Sequence, residues 1–222
     1  MIKKYFLLLL ATILLTGVHG QKRQVNLPKN IPLQDILKKA KKQKKHVLLD
    51  FGSPRCSPCL FIKNKIFTID SIADFINERF VSVDYTEGSE KKRLSKIYEV
   101  YTEPVLLICD ANGKVMHRME GKCTADEMMA RLRQGLDVKN NLIAQKSMYD
   151  KGNRSSEFLI SYLETLHIAG LRTRRDSVLH NIFSPSFHVD SLKTPKYWNV
   201  FLRYNESPVS REGSYVFKHR EE

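Results

Sequence analysis

A cysteine pair, Cys56 and Cys59, is the feature that most constrains this 222-residue chain. An apolar run over residues 47–51, typical of a strand, precedes the pair, and residues 60–67 have a helical pattern. Two intervening residues let the sulfurs close a small disulfide ring, and a helix start directs N–H groups and the positive dipole end at the first sulfur. The sequence therefore predicts a dithiol for thiol–disulfide exchange, with Cys56 attacking and Cys59 resolving.

Two other interpretations of the pair are an inert structural disulfide and half of a zinc site. Zinc would need a second ligand pair. The other cysteines, Cys109 and Cys123, lie on different predicted elements without a CxxC or HxxxH partner. The histidines show no metal-ligand spacing, and we expect His46 and His117, which flank predicted strands, at the surface. We therefore expect no metal and no cofactor.

Residues 1–20 have the pattern of a secretory signal peptide. Lys3 and Lys4 precede an apolar stretch over residues 5–15, and small or modest residues come before Gln21. The apolar stretch is short for a bilayer-spanning helix, which favours cleavage over a membrane anchor. The mature chain would then fold in the periplasm or after secretion, where disulfides persist.

The net charge of +13 raises the question of nucleic-acid binding. Much of the excess is a lysine cluster that follows the apolar positions of a predicted amphipathic helix, namely Lys38, Lys39, Lys41, Lys42, Lys44 and Lys45. These lysines suit the solvated face and C-terminal end of that helix, where cations favour the dipole. Aromatic residues, which single-strand binding would favour, do not interleave with them. We expect no nucleic-acid partner.

The order of predicted elements is αβαβ followed by ββα. Helices are predicted at residues 33–44, 70–80 and 125–136, and strands at residues 47–51, 80–84, 105–109 and 114–119. The charged stretch 87–93 is predicted to be a loop that leads into a helix ending near Tyr98. Asn112-Gly113 predicts a hairpin between the last two strands, and a capping box begins at Thr124.

This order and its motifs resemble the thioredoxin superfamily over residues 31–136. The motifs are the run over residues 50–59, Glu103-Pro104-Val105-Leu106-Leu107, Asn112-Gly113-Lys114 and Gly121. The resemblance implies an α/β, thioredoxin-like fold, a central mixed sheet flanked by helices, over residues 21–139. It is closest to secreted bacterial thioredoxin-like domains, including the C-terminal domain of the transmembrane disulfide reductase that carries electrons into the periplasm.

The resemblance also implies roles for two residues outside the cysteine pair. Asp50 lies where thioredoxins place a buried acid, and a desolvated carboxyl with a raised pKa could exchange a proton with Cys59. The alternative is a solvent-facing Asp at a strand end. Pro104 matches the cis-proline that packs against the dithiol and leaves the preceding backbone free to pair with a substrate strand. An ordinary edge-strand proline is the alternative.

Three residues depart from the usual family pattern. Arg55 replaces a tryptophan before the first cysteine, Leu60 replaces a basic residue after the second, and Glu103 replaces an apolar residue or threonine. Arg55 would favour the Cys56 thiolate and Glu103 would oppose it, with partial cancellation if the two pair across the groove. We assign substrate contacts to these two residues together with Pro104 and Gly121.

The two remaining cysteines have different predicted surroundings. Cys109 sits in an apolar strand and is expected to be a buried, unreactive thiol. Cys123 lies in the loop that the resemblance places beside the groove. It is either a packed thiol or a regulatory or resolving one.

Residues 140–222 are predicted to form a small helical extension. A helical hairpin is predicted around residues 150–153, followed by helices at 174–183 and 194–203. The pattern resembles one helix pair of a repeat protein, although a single unit does not establish a period. The extension is expected to offer a surface for a protein partner.

Together these features predict an extracytoplasmic thiol–disulfide oxidoreductase that reduces protein disulfides. Pro58 within the motif resembles the reducing thioredoxins more than the strongly oxidising members, and the resemblance implies a membrane electron donor. The alternative is a non-catalytic binding or scaffold protein that uses the groove and the helical extension.

Overall fold

The computed structural model describes residues 23–205 and 209–219, so the predicted signal peptide over residues 1–20 lies outside the described residues. The strands are β1 (His46–Phe51), β2 (Phe80–Tyr85), β3 (Val105–Cys109) and β4 (Val115–Glu120). The first helices are α1 (Leu33–Gln43), α2 (Ser57–Phe61, continued by a π-helical turn at Ile62–Ile66), α3 (Asp70–Arg79), α4 (Gly88–Ile97) and α5 (Ala125–Leu136). The later helices are α6 (Leu142–Asp150), α7 (Ser156–Ile168), α8 (Arg172–Ile182), a 3₁₀ turn (Val189–Lys193), α9 (Pro195–Tyr204) and α10 (Arg211–Lys218).

The four strands form one mixed sheet in the order β2-β1-β3-β4. β1 pairs with β2 in parallel and with β3 antiparallel, and β3 pairs with β4 antiparallel. β3 is continuously apolar and buried, as expected of a strand covered on both faces, and β2 is also buried throughout although it contains Ser82 and Asp84. Separate apolar clusters lie on the two faces of the sheet. The expected mixed sheet flanked by helices is confirmed.

Local signals in the sequence fix the end of this domain. Gly113 has φ +85°, the left-handed conformation that favours glycine in a tight turn, and it joins the antiparallel strands β3 and β4. Thr124 and Glu127 form the predicted capping box at the start of α5. The hairpin and the capping box are therefore confirmed.

The loop predicted over residues 87–93 is wrong, because α4 already begins at Gly88. Glu90 and Arg93, one turn apart, form an ion pair through two hydrogen bonds. Glu90 also accepts a hydrogen bond from the backbone N–H of Leu33, which ties α4 to the start of α1. The charged residues of this stretch lie on the exposed face of a helix. Because they are so close together in the sequence, the stretch has the composition of a loop.

The surface position expected for His117 is also wrong, since this β4 side chain is fully buried. Its Nδ1 accepts a hydrogen bond of 3.2 Å from the backbone N–H of Leu142, the first residue of α6. Burial, with a smaller effect of Arg131, lowers the pKa of His117 to about 4. His117 is therefore a neutral link between the sheet and the helices that follow it.

Helices α6 to α9 build an apolar cluster distinct from the two that cover the sheet. Arg118 on β4 joins this extension to the sheet domain, because its Nε donates a 2.9 Å hydrogen bond to the carbonyl of Ala169 at the end of α7. Gln134 on α5 donates to Thr165 at 2.8 Å. None of the helices in the described part of the chain has the length and apolar composition that a bilayer-spanning helix requires.

Candidate active site

Cys56 and Cys59 form a disulfide at the start of α2. Cys56 is the N-cap residue of the helix, and its Sγ accepts a 3.2 Å hydrogen bond from the backbone N–H of Cys59. Cys59 is 1% exposed, whereas Cys56 is only partly covered. In the reduced state, the same N–H and the helix start would favour a thiolate on Cys56. The predicted attacking sulfur is thus the more exposed of the two.

Asp50, near the end of β1, is only 2% exposed, so the solvent-facing alternative is wrong. Burial raises the pKa of its carboxyl to about 7, the nearby Asp84 adds to the rise, and Lys63 opposes it. Within the described part of the chain, Oδ2 of Asp50 has no hydrogen-bond partner. A carboxyl in this state exchanges its proton near neutral pH, as a general acid and base must.

Lys63 lies one helical turn after Cys59 and points at two carboxylates. Its Nζ is 3.4 Å from Oδ2 of Asp50 and 2.7 Å from Oδ1 of Asp84. Asp84 lies directly opposite Asp50 in the parallel pairing of β1 with β2, and it accepts a 2.5 Å hydrogen bond from Thr86. One cation therefore serves two buried acids, which leaves Asp50 only partly compensated.

Gly52 brings this charged cluster next to the dithiol. A Cβ atom at Gly52 would lie 3.1 Å from Sγ of Cys59 and 3.9 Å from Nζ of Lys63. The small residue thus leaves the resolving sulfur and the lysine amine beside the same space. Lys63 and Asp84 also line a cleft that reaches Ser53 near the protein surface, so the cluster has a route to solvent.

The sequence motifs do not indicate Lys63 and Asp84, which the structure adds to the site. Neither lies in a recognised motif, and Lys63 stands four residues beyond Cys59 rather than directly after it, where Leu60 is found. The one signal in the sequence was Asp84, which lies in a predicted strand whose other residues, apart from Ser82, are apolar, because a buried acid requires a partner. The identity of that partner depends on the packing of α2 over the sheet.

Pro104 and Gly121 lie together at the edge of the site. The Glu103–Pro104 peptide bond is cis. The carbonyl of Pro104 accepts a 3.0 Å hydrogen bond from the backbone N–H of Gly121, which has φ +79°. This hydrogen bond joins the end of β4 to the start of β3, and Pro104 itself is buried.

Glu103 is adjacent to the sulfurs. One of its carboxylate oxygens and the sulfurs of Cys56 and Cys59 all lie within 4.8 Å of one another. Burial alone would raise the pKa of Glu103, but hydrogen bonds from Lys91 and Ser53 bring the pKa below its ordinary value. The group next to the dithiol is thus a carboxylate at neutral pH.

Arg55 is not the partner of Glu103. The side chain of Arg55 is exposed, and the ion pair of Glu103 is made with Lys91 from α4. The conditional pairing of Arg55 with Glu103 across the groove is not found among the described residues. Any influence of Arg55 on Cys56 must act through solvent, where screening is strong.

The remaining cysteines are packed thiols. Cys109 is fully buried on β3, and burial raises its pKa to about 12. Cys123 is 5% exposed and packs in the apolar cluster under α2, and burial raises its pKa as well. A raised thiol pKa reduces the thiolate that exchange requires, which favours the packed alternative for Cys123.

Comparisons with solved structures give matches over about half of this chain. A candidate disulphide isomerase from Bacteroides thetaiotaomicron is 26% identical, and the match covers 53% of this chain and 97% of the other with a TM-score of 0.48. A thioredoxin from Thermus thermophilus is 19% identical over 51% and 90%, with a TM-score of 0.46. The oxidised C-terminal domain of DsbD from Neisseria meningitidis is 20% identical over 46% and 91%, with a TM-score of 0.41. The search of curated proteins gave no significant match.

A family model assigns the part of the chain that holds the dithiol. Residues 33–136 match the thioredoxin-like domain family. They include the mixed sheet, the disulfide at the start of α2 and the segment around Pro104. Residues 33–136 of the chain therefore form a thioredoxin-like domain with a CxxC redox centre at Cys56 and Cys59, and additional helices follow this domain.

Proposed function

We propose that this protein is an extracytoplasmic thiol–disulfide oxidoreductase that reduces disulfides in client proteins. The observation that carries the proposal is the buried Asp50–Lys63 pair beside the resolving Cys59. A merely structural disulfide has no use for a buried, partly compensated acid at that place, because such an acid destabilises the fold. A dithiol that must gain and lose protons near pH 7 has such a use.

In the first step, the Cys56 thiolate attacks one sulfur of a client disulfide. A mixed disulfide forms between Cys56 and the client, and the second client sulfur leaves as a thiolate. Glu103, Gly121 and the backbone around the buried Pro104 would hold the client backbone beside Cys56.

In the second step, Cys59 resolves the mixed disulfide. Asp50 accepts the Cys59 proton, and the resulting thiolate attacks Cys56. The client sulfur that was bonded to Cys56 leaves as a thiolate, so the client has gained two electrons and the enzyme becomes the Cys56–Cys59 disulfide. Asp50 then loses its proton to solvent along the cleft that Lys63 and Asp84 line. A donor dithiol must return two electrons before the next cycle.

The proposed compartment and donor come from the sequence. The signal-peptide pattern of residues 1–20 supports a mature chain in the periplasm or outside the cell. Pro58 resembles the reducing members of the superfamily, which would receive electrons from a membrane protein. Since reducing equivalents are scarce outside the cytoplasm, such a donor completes the cycle.

We also propose that residues 21–139 form the thioredoxin-like domain and residues 140–222 an extension that binds a protein partner. The separate apolar cluster of helices α6 to α9 supports the division. The hydrogen bonds of Arg118 and His117 would hold the extension at a fixed position relative to the groove.

Reduction of insulin with a small thiol as donor tests the enzymatic proposal. We expect the wild-type protein to accelerate the reaction and Cys56→Ser to give only the uncatalysed rate. Equal rates would instead support the non-catalytic binding or scaffold protein. Measurement of the Cys56–Cys59 redox potential tests the direction: a value near about −270 mV supports a reductase and one near about −120 mV supports an oxidase.

A further inference from the structure

The carboxylate of Glu103 lies beside the two sulfurs, which the cysteine spacing alone does not predict. Each of Cys56, Cys59 and Glu103 offers one ligand atom, and the three atoms lie within 4.8 Å of one another. We propose that the reduced form of this protein binds Zn²⁺ through these three side chains. Two thiolates and one carboxylate are ligands that zinc accepts, and three protein ligands leave one coordination position open for water.

The arrangement requires only a small adjustment of the ligands. Ligand atoms of a tetrahedral zinc site lie roughly 3.3–3.8 Å apart, given the usual zinc–sulfur and zinc–oxygen distances. The carboxylate oxygen of Glu103 therefore has to approach the sulfurs by about 1.5 Å or less. The sulfurs must separate when the disulfide is reduced, and this opens the space between them. The oxidised protein has no thiolate and cannot form the site.

The surroundings prepare two of the ligands. The backbone N–H of Cys59 donates to Sγ of Cys56, which helps to hold this sulfur as a thiolate. Ser53 and Lys91 donate hydrogen bonds to Glu103 and orient its carboxylate. Such outer contacts orient a ligand and contribute to metal affinity.

Lys91 also opposes the metal, because its amine pairs with the same carboxylate. The lysine must share or give up Glu103 when the cation binds, and its positive charge repels the metal. The site is thus poised for reversible binding. Removal of the Lys91 amine should raise the affinity for zinc, and removal of the Glu103 charge should lower it. The two partners of one ion pair therefore have opposite effects on metal binding.

Binding involves no electron transfer. The two thiols give up two protons, both sulfurs form bonds to zinc, and neither is then free to attack a client. Zinc would protect the reduced dithiol from oxidation and pause exchange until the metal is removed. This consequence rests on the proposed function, whereas the binding itself requires only that the disulfide can be reduced.

The test uses fully reduced protein that has been freed of reductant under anaerobic conditions. Cd²⁺ serves as the spectroscopic probe through its thiolate charge-transfer absorbance, and competition with Zn²⁺ then gives the zinc affinity. We expect one metal per reduced wild-type chain and none for the oxidised chain. Glu103→Gln should weaken binding by at least about tenfold, as loss of a metal contact does. Lys91→Met should tighten it.

Glu87→Gln is the matched control, since this carboxylate belongs to the same end of the molecule but not to the three-residue group. Its affinity should equal that of the wild type. The inference is overturned if Glu103→Gln binds as tightly as the wild type, because the metal would then be held by the dithiol alone. Equal binding by the oxidised protein would also overturn it. Insulin reduction in metal-free buffer remains a separate test of the proposed function.

Discussion

Asp50 and Asp84 lie opposite each other on the parallel strands β1 and β2, and both contact the amine of Lys63. Two acids and one base in a buried place cannot all be charged at low cost, so one carboxyl tends to keep a proton. The closer lysine contact, 2.7 Å, goes to Asp84, and Asp50 is the acid with the raised pKa. The pairing of β1 with β2 and the packing of the α2 segment that carries Lys63 thus together give Asp50 a pKa suited to proton exchange near pH 7.

The first prediction concerns stability and pH. The pKa of Asp50 rises from 3.8 to about 7 on folding, so between these values the folded state binds more protons than the unfolded state. The free energy of unfolding therefore falls as pH rises through this window. Asp50→Asn removes this pH-dependent loss. The free energy of unfolding of the variant should therefore exceed that of the wild type by up to about 4 kcal/mol above pH 7, and the difference should vanish below about pH 4.

Denaturant unfolding of the oxidised proteins at a series of pH values measures this difference. The same variant should resolve mixed disulfides more slowly near neutral pH. A stability difference that does not vary with pH, together with unchanged turnover between about pH 6 and 8, would show that Asp50 does not titrate in this range.

The second prediction separates the two neighbours of Asp50. Lys63→Met removes a positive charge and should move the midpoint of the pH–rate profile for resolution upward. Asp84→Asn removes a negative charge and should move it downward, each by about one unit. Single-turnover resolution, started from the mixed disulfide and stopped with acid, gives the profile. Shifts in the same direction would show that these residues affect the rate through the fold rather than through the charge on Asp50.

Local patterns were sufficient for most of the fold, because strands, caps and the Asn112-Gly113 hairpin are set by nearby residues. The role of Lys63 could not be predicted, since it depends on which strand residues the second turn of α2 covers. His117 was misplaced for a related reason. Alternation along β4 shows which side chains share a face, but not that the helical extension begins against that face.

The third prediction concerns Glu103 as a selectivity device. Glu103→Ile removes a carboxylate beside the sulfurs and frees Lys91, so the Cys56 pKa should fall, by less than about one unit because the site is partly exposed. Preference for basic residues around a client disulfide should weaken. The pH dependence of Cys56 alkylation gives the pKa, and reduction rates on matched acidic and basic peptides give the preference. A higher pKa with unchanged preference would mean that Glu103 acts elsewhere.

The fourth prediction tests the contact between the extension and the sheet domain. Gly170 follows α7 with φ +68°, and a Cβ there would lie 1.9 Å from Oε2 of Glu120 on β4. Gly152 has φ +91° and open space around its Cβ position. In both alanine variants the free energy of unfolding should fall by about 1 kcal/mol, because alanine disfavours the left-handed backbone conformation. Only Gly170→Ala also has to move the Glu120 carboxylate, which pairs with Arg118, so its free energy of unfolding should fall by roughly 0.5–1 kcal/mol more. Equal losses in denaturant unfolding would mean that this contact is dispensable.

Trapping of mixed disulfides tests the central claim most directly. Cys56 is the accessible N-cap sulfur and Cys59 is buried behind it. Reduced Cys59→Ser, incubated with an oxidised client and quenched with an alkylating agent, should therefore accumulate a covalent complex that migrates as one band without reductant. Cys56→Ser should accumulate none. Equal trapping by both variants, or by neither, would contradict the assignment of Cys56 as the attacking thiol and Cys59 as the resolving one.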